Sequence, residues 1–211
     1  MNEEIYRQIA AQNGFRRMDE SADEQFYDFP RFVTHIDDRA IRFVTELYRE
    51  YFPARGAVLD LMSSWVSHLP AEADYARVAA TGMNEAELRR NPRLGEYVVQ
   101  NLNADPVLPF GADEFDAAAI CVSVQYLTDP APVFREIGRV LRAGAPLVVT
   151  FSNRCFPTKA VFAWQTLDDA GHVALVRQYF AASGAFGEVE LRRYEPRAGD
   201  PLYAVIGRAE K

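Results

Sequence analysis

The sequence predicts an α/β protein in three layers, a mainly parallel sheet with helices on both faces. Three observations lead there. Runs of strand length alternate with segments of helical period along most of the chain. Two of those runs, Ala57–Leu61 and Phe115–Val122, are apolar or small on nearly every residue, as strands buried on both faces are. No repeat, low-complexity tract or linker divides the 211 residues, a length that suits one domain with a sizeable core.

Residues 1–36 form an arm, rich in aromatics at Phe26, Tyr27, Phe29 and Phe32, that packs on a body spanning 37–211. Asp37 and Asp38 offer a cap for a helix reaching Phe52, with Ile41, Val44, Leu47, Tyr48 and Tyr51 on one face. Strand Ala57–Leu61 is followed by a polar loop containing Pro70. A second strand is expected at Arg77–Met83, a short helix at Glu85–Arg90, a third strand at Glu96–Leu102 and a fourth at Phe115–Val122. Asp129-Pro130 reads as a capped helix start, with Val133, Ile137, Val140 and Leu141 inward and Gly144 in the left-handed position after the helix. A fifth strand at Pro146–Ser152, helices at Pro157–Asp168 and His172–Ala182, and two terminal strands, Glu188–Tyr194 and Leu202–Arg208, complete the chain. His172, just after Gly171, is expected to be exposed.

Composition narrows the function. A formal net charge of -7 opposes broad binding to nucleic acid or an anionic membrane. Cys121 and Cys155 form neither a metal-ligand spacing nor a disulfide framework, so no metal is expected. Met1–Ala11 lacks the apolar core of a leader, and no apolar run is long enough to span a bilayer. The chain reads as cytoplasmic, with its oligomeric state open. Parallel sheets bind ligands beyond the carboxyl ends of their strands, which here points to Asp60–Trp65, Gly82–Asn84, Asn101–Asn103, Val122–Tyr126 and Ser152–Cys155.

One stretch is more specific. Leu108-Pro109-Phe110, Glu114-Phe115-Asp116, Val124 to Pro130 and Phe134 to Gly144 follow one another at a spacing that resembles the class I S-adenosylmethionine-dependent methyltransferases of the type 11 group. The resemblance runs from about Ala57 to the C-terminus. It implies a Rossmann-like sheet of seven strands ending in an antiparallel strand, and S-adenosyl-L-methionine as cofactor. It also implies an acid at the tip of the first strand, where Asp60 stands. The family's glycine-rich turn is replaced here by Met62, Ser63, Ser64 and Trp65, and Val66 follows. Its ribose-binding carboxylate, at the end of the second strand, is replaced by Gly82, followed by Met83 and Asn84. By the same resemblance Asn101 or Asn103, with Leu102, would meet the adenine, and Val122 would line the cofactor site from the fourth strand.

Each residue has a plainer reading. Asp60 either anchors the cofactor or only clamps its loop, since a buried carboxylate needs a partner. Ser63, Ser64 and Ser67 either donate to the cofactor or bond their own backbone, and Asn84 is either a polar substitute or a helix cap. Trp65 is a cofactor contact or a lid aromatic. His35, Tyr126, Asn153 and Arg154 are the candidates for handling the acceptor, with a surface ion pair as the alternative for Arg154. These readings point to methyl transfer to a small-molecule acceptor, no nucleic acid or membrane being expected as partner. The alternative is a catalytically inactive relative of the fold that binds a ligand or a protein. A nicotinamide-dependent reductase is disfavoured by the absence of G-x-G-x-x-G after the first strand.

Overall fold

The computed structural model describes residues 2–211; Met1, at the start of the arm, lies outside the described residues. Seven strands form one sheet in the order β3-β2-β1-β4-β5-β7-β6. They are β1 (Ala57–Leu61), β2 (Arg77–Gly82), β3 (Glu96–Val99), β4 (Ala117–Cys121), β5 (Pro146–Phe151), β6 (Glu190–Tyr194) and β7 (Leu202–Arg208). β1 to β5 are parallel, and β7 runs antiparallel between β5 and β6.

Alternation along the strands sorts the core into two layers. Val58, Ala117, Ala119, Val148 and Ile206 face α3 (Asp38–Tyr51), which buries Ala40, Val44, Leu47 and Tyr48 against them. Leu59, Leu61, Ile120, Leu147 and Val149 face the other way. There they meet α5 (Pro130–Val140) and α7 (Asp169–Ser183), and α1 (Asn2–Ala11) lies on α7. α3 starts where expected because the Asp37 carboxylate accepts from the amides of Arg39 and Ala40. α4 (Glu85–Arg90) likewise starts at Asn84.

Several expectations change in detail. β3 stops at Val99, since Asn101 turns the chain and its carbonyl accepts from Ala104 and Asp105. Asp129 flanks α5 without capping it. Its carboxylate accepts from the Tyr6 hydroxyl, and that oxygen in turn takes the Ala131 amide. α5 already ends at Val140, and Gly144, at φ +77°, serves the turn into β5; the left-handed cap is Gly184 on α7. Of the helix expected at Pro157–Asp168 only α6 (Phe162–Gln165) forms. The preceding turn is pulled inward by Lys159, and Val161 bridges to Arg17 instead. Asp168 caps α7, so His172 falls in its first turn, 7% exposed and stacked on Trp164. The expectation of an exposed His172 fails because the indole covers it. No described helix is long and apolar enough to cross a membrane.

Candidate functional site

The ends of β1 to β4 open into a cleft roofed by residues 23–35 of the arm, a segment that includes the single-turn helix α2 (Asp23–Tyr27). It holds about 1180 Å³ of space, mouth included. Its floor starts at Asp60, whose neighbours in the sheet are Ala80 on β2 and Ala119 on β4. The carboxylate is 5% exposed and accepts from Ser63 Oγ at 2.6 Å. Burial pushes its pKa up to about 6, against the pull of the Ser63 and Ser67 hydroxyls. No described cation pairs with it, so the charge is held by hydroxyl groups alone. Cys121, at the end of β4, also lines the cleft, and burial pushes its thiol up to about 11, which leaves it a poor nucleophile.

The glycine-free loop is built around strain and a close approach. Met62 takes φ +53° and Val122, at the end of neighbouring β4, φ +44°. Such backbone costs on the order of 1–3 kcal/mol per residue. Ser63 N then donates to Thr81 O at 2.7 Å, which folds the loop across the end of β2. A Cβ on Gly82 would lie 2.5 Å from Ser63 O and 2.9 Å from Leu88 Cδ2. A carboxylate at position 82 therefore has no room. The loop is held further on by Asn91 Nδ2, which donates to Ser64 O and Ser67 Oγ.

The arm is bonded beyond the tips of β1, β2 and β3 and to the turn after β5. Trp65 Nε1, after β1, donates to Val33 O at 3.0 Å. Asn84, after β2, caps α4 with its oxygen, and its amide donates to Tyr27 O and Asp28 O. After β3, Asn101 Nδ2 donates to Glu24 and Asn103 Nδ2 to Asp23 Oδ2 and Tyr126 O. Asn103 also accepts from Thr128 N, so its side chain is already committed to the protein. After β5, the fully buried Lys159 donates to Ser21 O at 2.7 Å and lies 3.4 Å from Asp23 Oδ1, which also takes Arg17 Nη1 at 2.7 Å.

The cleft brings together Asp60, Met62, Ser63, Ser64, Trp65, Gly82, Met83, Asn84, Asn101, Leu102, Asn103 and Val122, with His35 and Tyr126. Asn153 and Arg154 are not among its walls. Both are exposed, and the Arg154 guanidinium turns to Asp200 at 2.7 Å, the surface ion pair that was its alternative. Tyr126 is a latch: its hydroxyl accepts from Phe156 N at 2.9 Å, and burial pushes its pKa up to about 12. His35 packs edge-on against Phe156, and enclosure lowers its pKa, so its imidazole is neutral at pH 7. His68, also in the wall, is driven down to about 4 by burial and by His35.

Sequence reasoning missed Asp23, Tyr27, Arg31, Glu87 and Phe156 as cleft residues. The aromatic richness of the arm was the signal for Asp23, Tyr27 and Arg31. Arg31 lies over the rings of Phe26 and Phe156, at 4.5 and 5.3 Å.

Residues 60–149 match the family described as "Methyltransferase domain". A search of the curated proteins found no match. Among solved structures, the fold is similar to a chain in the complex between the Haloferax volcanii Trm112 methyltransferase activator and a candidate methyltransferase, at 15% identity and TM-score 0.60. That match covers 90% of this chain and 94% of the other. An S-adenosylmethionine-dependent methyltransferase from Mesorhizobium loti matches at 17% identity and TM-score 0.52, over 77% of this chain and 96% of its own. The [4+2]-cyclase SpnF matches at 13% identity and TM-score 0.59, over 99% and 97%. Residues 60–149 thus match a methyltransferase domain, the fold is that of these neighbours, and S-adenosylmethionine is the cofactor these matches imply.

The residues present fit that cofactor at its charged end. Asp60 is a buried carboxylate without a cation. Ser123 Oγ and Gln100 Oε1, both in the cleft wall, are buried without a hydrogen-bond partner. Such groups are costly unless a ligand or water meets them.

Proposed function

We propose that the protein transfers a methyl group from S-adenosylmethionine to a small molecule, within the cleft under the arm. The observation that carries this reading is Asp60, a buried carboxylate at the tip of β1 with hydroxyls for company and no cation. In this reading Asp60 holds the ammonium end of the cofactor, while Leu102 and Val122 face its adenine. The cofactor supplies a methyl group already made electrophilic by its sulfonium. The protein's task is then alignment and exclusion of water, and alignment alone is worth about 7–11 kcal/mol. The neutral imidazole of His35 takes the proton of an acceptor that must lose one. A roof bonded to the tips of β1, β2 and β3 leaves a mouth suited to a small acceptor. The negative net charge disfavours nucleic acid.

The second reading, a ligand-binding relative without methyl transfer, draws on the rebuilt loop at Met62–Trp65 and on the likeness to a cyclase along nearly the whole chain. Calorimetry with S-adenosylhomocysteine, on the wild type and on Asp60→Ala, tests the cofactor site. Micromolar binding that the substitution abolishes supports it, and absence of binding at millimolar ligand overturns it. Release of S-adenosylhomocysteine across a panel of small hydroxyl, thiol and amine acceptors then separates transfer from binding.

A further inference from the structure

Three carboxylates line the cleft among the described residues: Asp23, Asp60 and Glu87. Asp23 is taken up by Arg17 and Lys159 on one oxygen and by Asn103 on the other. Asp60 lies at the bottom, beside β4. Glu87 stands apart from both, one turn into α4 and half-buried. Its Oε1 accepts from Arg31 N at 2.6 Å and its Oε2 from Ser64 Oγ at 2.5 Å. These donors are a neutral amide and a neutral hydroxyl, and a carboxylate has about four acceptor sites. These two donors leave about two acceptor sites unused on a residue of the cleft wall.

Two features of the backbone explain why this carboxylate comes from the helix. The β2 tip has no room for a side chain, because Ser63 O occupies the space that a Cβ at Gly82 would need. Asn84, the next polar residue, spends its oxygen on the Glu87 amide and its nitrogen on the arm. Glu87 is the first carboxylate after β2 in the cleft wall, and each of its oxygens keeps an unused acceptor site. A vicinal diol of a ribose is bound best by such a pair, each hydroxyl donating to a carboxylate oxygen.

Resting on the methyltransferase reading, we infer that Glu87 is the ribose-binding residue of this protein, replacing an acid that the β2 tip cannot hold. Glu87 also carries the amide of Arg31, so the same carboxylate ties the arm to the sugar. A ligand that reaches Glu87 is felt by the roof.

The test compares 5′-deoxy-5′-methylthioadenosine with its 2′,3′-dideoxy analogue, titrated by calorimetry into the same preparation of each variant. The wild type should prefer the diol by about tenfold or more, the usual weight of hydrogen bonds to a charged group. Glu87→Gln should bring the two ligands to within about twofold of each other, and Glu87→Asp should fall between. Glu85→Gln, on the exposed side of the same helix and paired with Arg89, should keep the wild-type preference. Because the readout is a ratio on one sample, partial loss of folded protein does not mimic it. An unchanged preference in Glu87→Gln overturns the assignment while the cofactor site stands. A wild type that binds neither these nucleosides nor S-adenosylhomocysteine overturns both.

Discussion

Trp164 and His172 lie ring on ring, with centroids 4.1 Å apart and planes 7° from parallel. His172 Nε2 is 2.8 Å from Trp164 O, so one imidazole joins the start of α7 to α6 by a face and an edge at once. His172→Ala should therefore destabilise the fold by about 2–3 kcal/mol, from lost packing and a lost buried hydrogen bond. Chemical denaturation reads this directly, and binding of S-adenosylhomocysteine should be unaffected below the transition.

Asp60 predicts an unusual pH dependence. Its folded pKa, about 6, lies above its ordinary value of 3.8. Well below its ordinary value, at about pH 2.5, the carboxyl is protonated in both states and costs nothing. Between pH 4 and 6 the native state keeps a proton that the unfolded chain has released, so stability falls as pH rises. Asp60→Asn should then be more stable than wild type at pH 8, by on the order of 2–3 kcal/mol, and equal to it at about pH 2.5. Denaturation at the two pH values decides this. A gain of the same size at both would show that the carboxylate charge is not its source.

Gly82→Ala forces Ser63 O and the Leu88 side chain to move. Overpacking of this kind costs about 1–3 kcal/mol, and backbone oxygen yields less readily than a side chain. The midpoint of denaturation should fall accordingly. The loop that carries Trp65 should shift with it, visible as a red shift of indole fluorescence in the folded state.

Lys159 has no exposed surface, yet it serves Ser21 O and stands near the carboxylates of Asp19 and Asp23. Lys159→Met keeps the volume and removes the charge, leaving Asp23 to Arg17. Breaking one side of a buried charge cluster costs about 3–5 kcal/mol. Hydrogen exchange should localise the loss, with faster exchange at residues 19–24 and unchanged protection in β1 and β4.

The parallel strands, α3 and α4 were legible because their signals are local: apolar runs of strand length, an apolar face at helical steps, and Asp37 or Asn84 as caps. Asp60 was legible for the same reason, as a carboxylate ending an apolar run. Asn103 shows the limit. Its place after β3 could be read, but that its amide and its oxygen are spent on Asp23, Tyr126 and Thr128 depends on three separate segments meeting. His172 was misjudged because Gly171 suggests an open helix start, whereas Trp164, eight residues earlier, folds back over it. Glu87 was passed over because a Glu three residues after an Asn cap looks sufficiently explained by the cap. Gly82 could be seen as a missing acid. The obstruction by Ser63 O that accounts for it exists only once the loop is folded.

The roof of the cleft also has a history in time. The partners of residues 19–33 lie far away along the chain: Asn84 is 57 positions from Tyr27, Asn103 is 80 from Asp23, and Lys159 is 138 from Ser21. Contacts of such span form late, after closer ones have paid for the loops between them. The arm thus docks among the last segments, when β5 and the turn carrying Lys159 are in place. A chain in which β1 to β5 have paired but the turn at Lys159 has not docked lacks a finished cleft, so ligand binding reports the completion of folding.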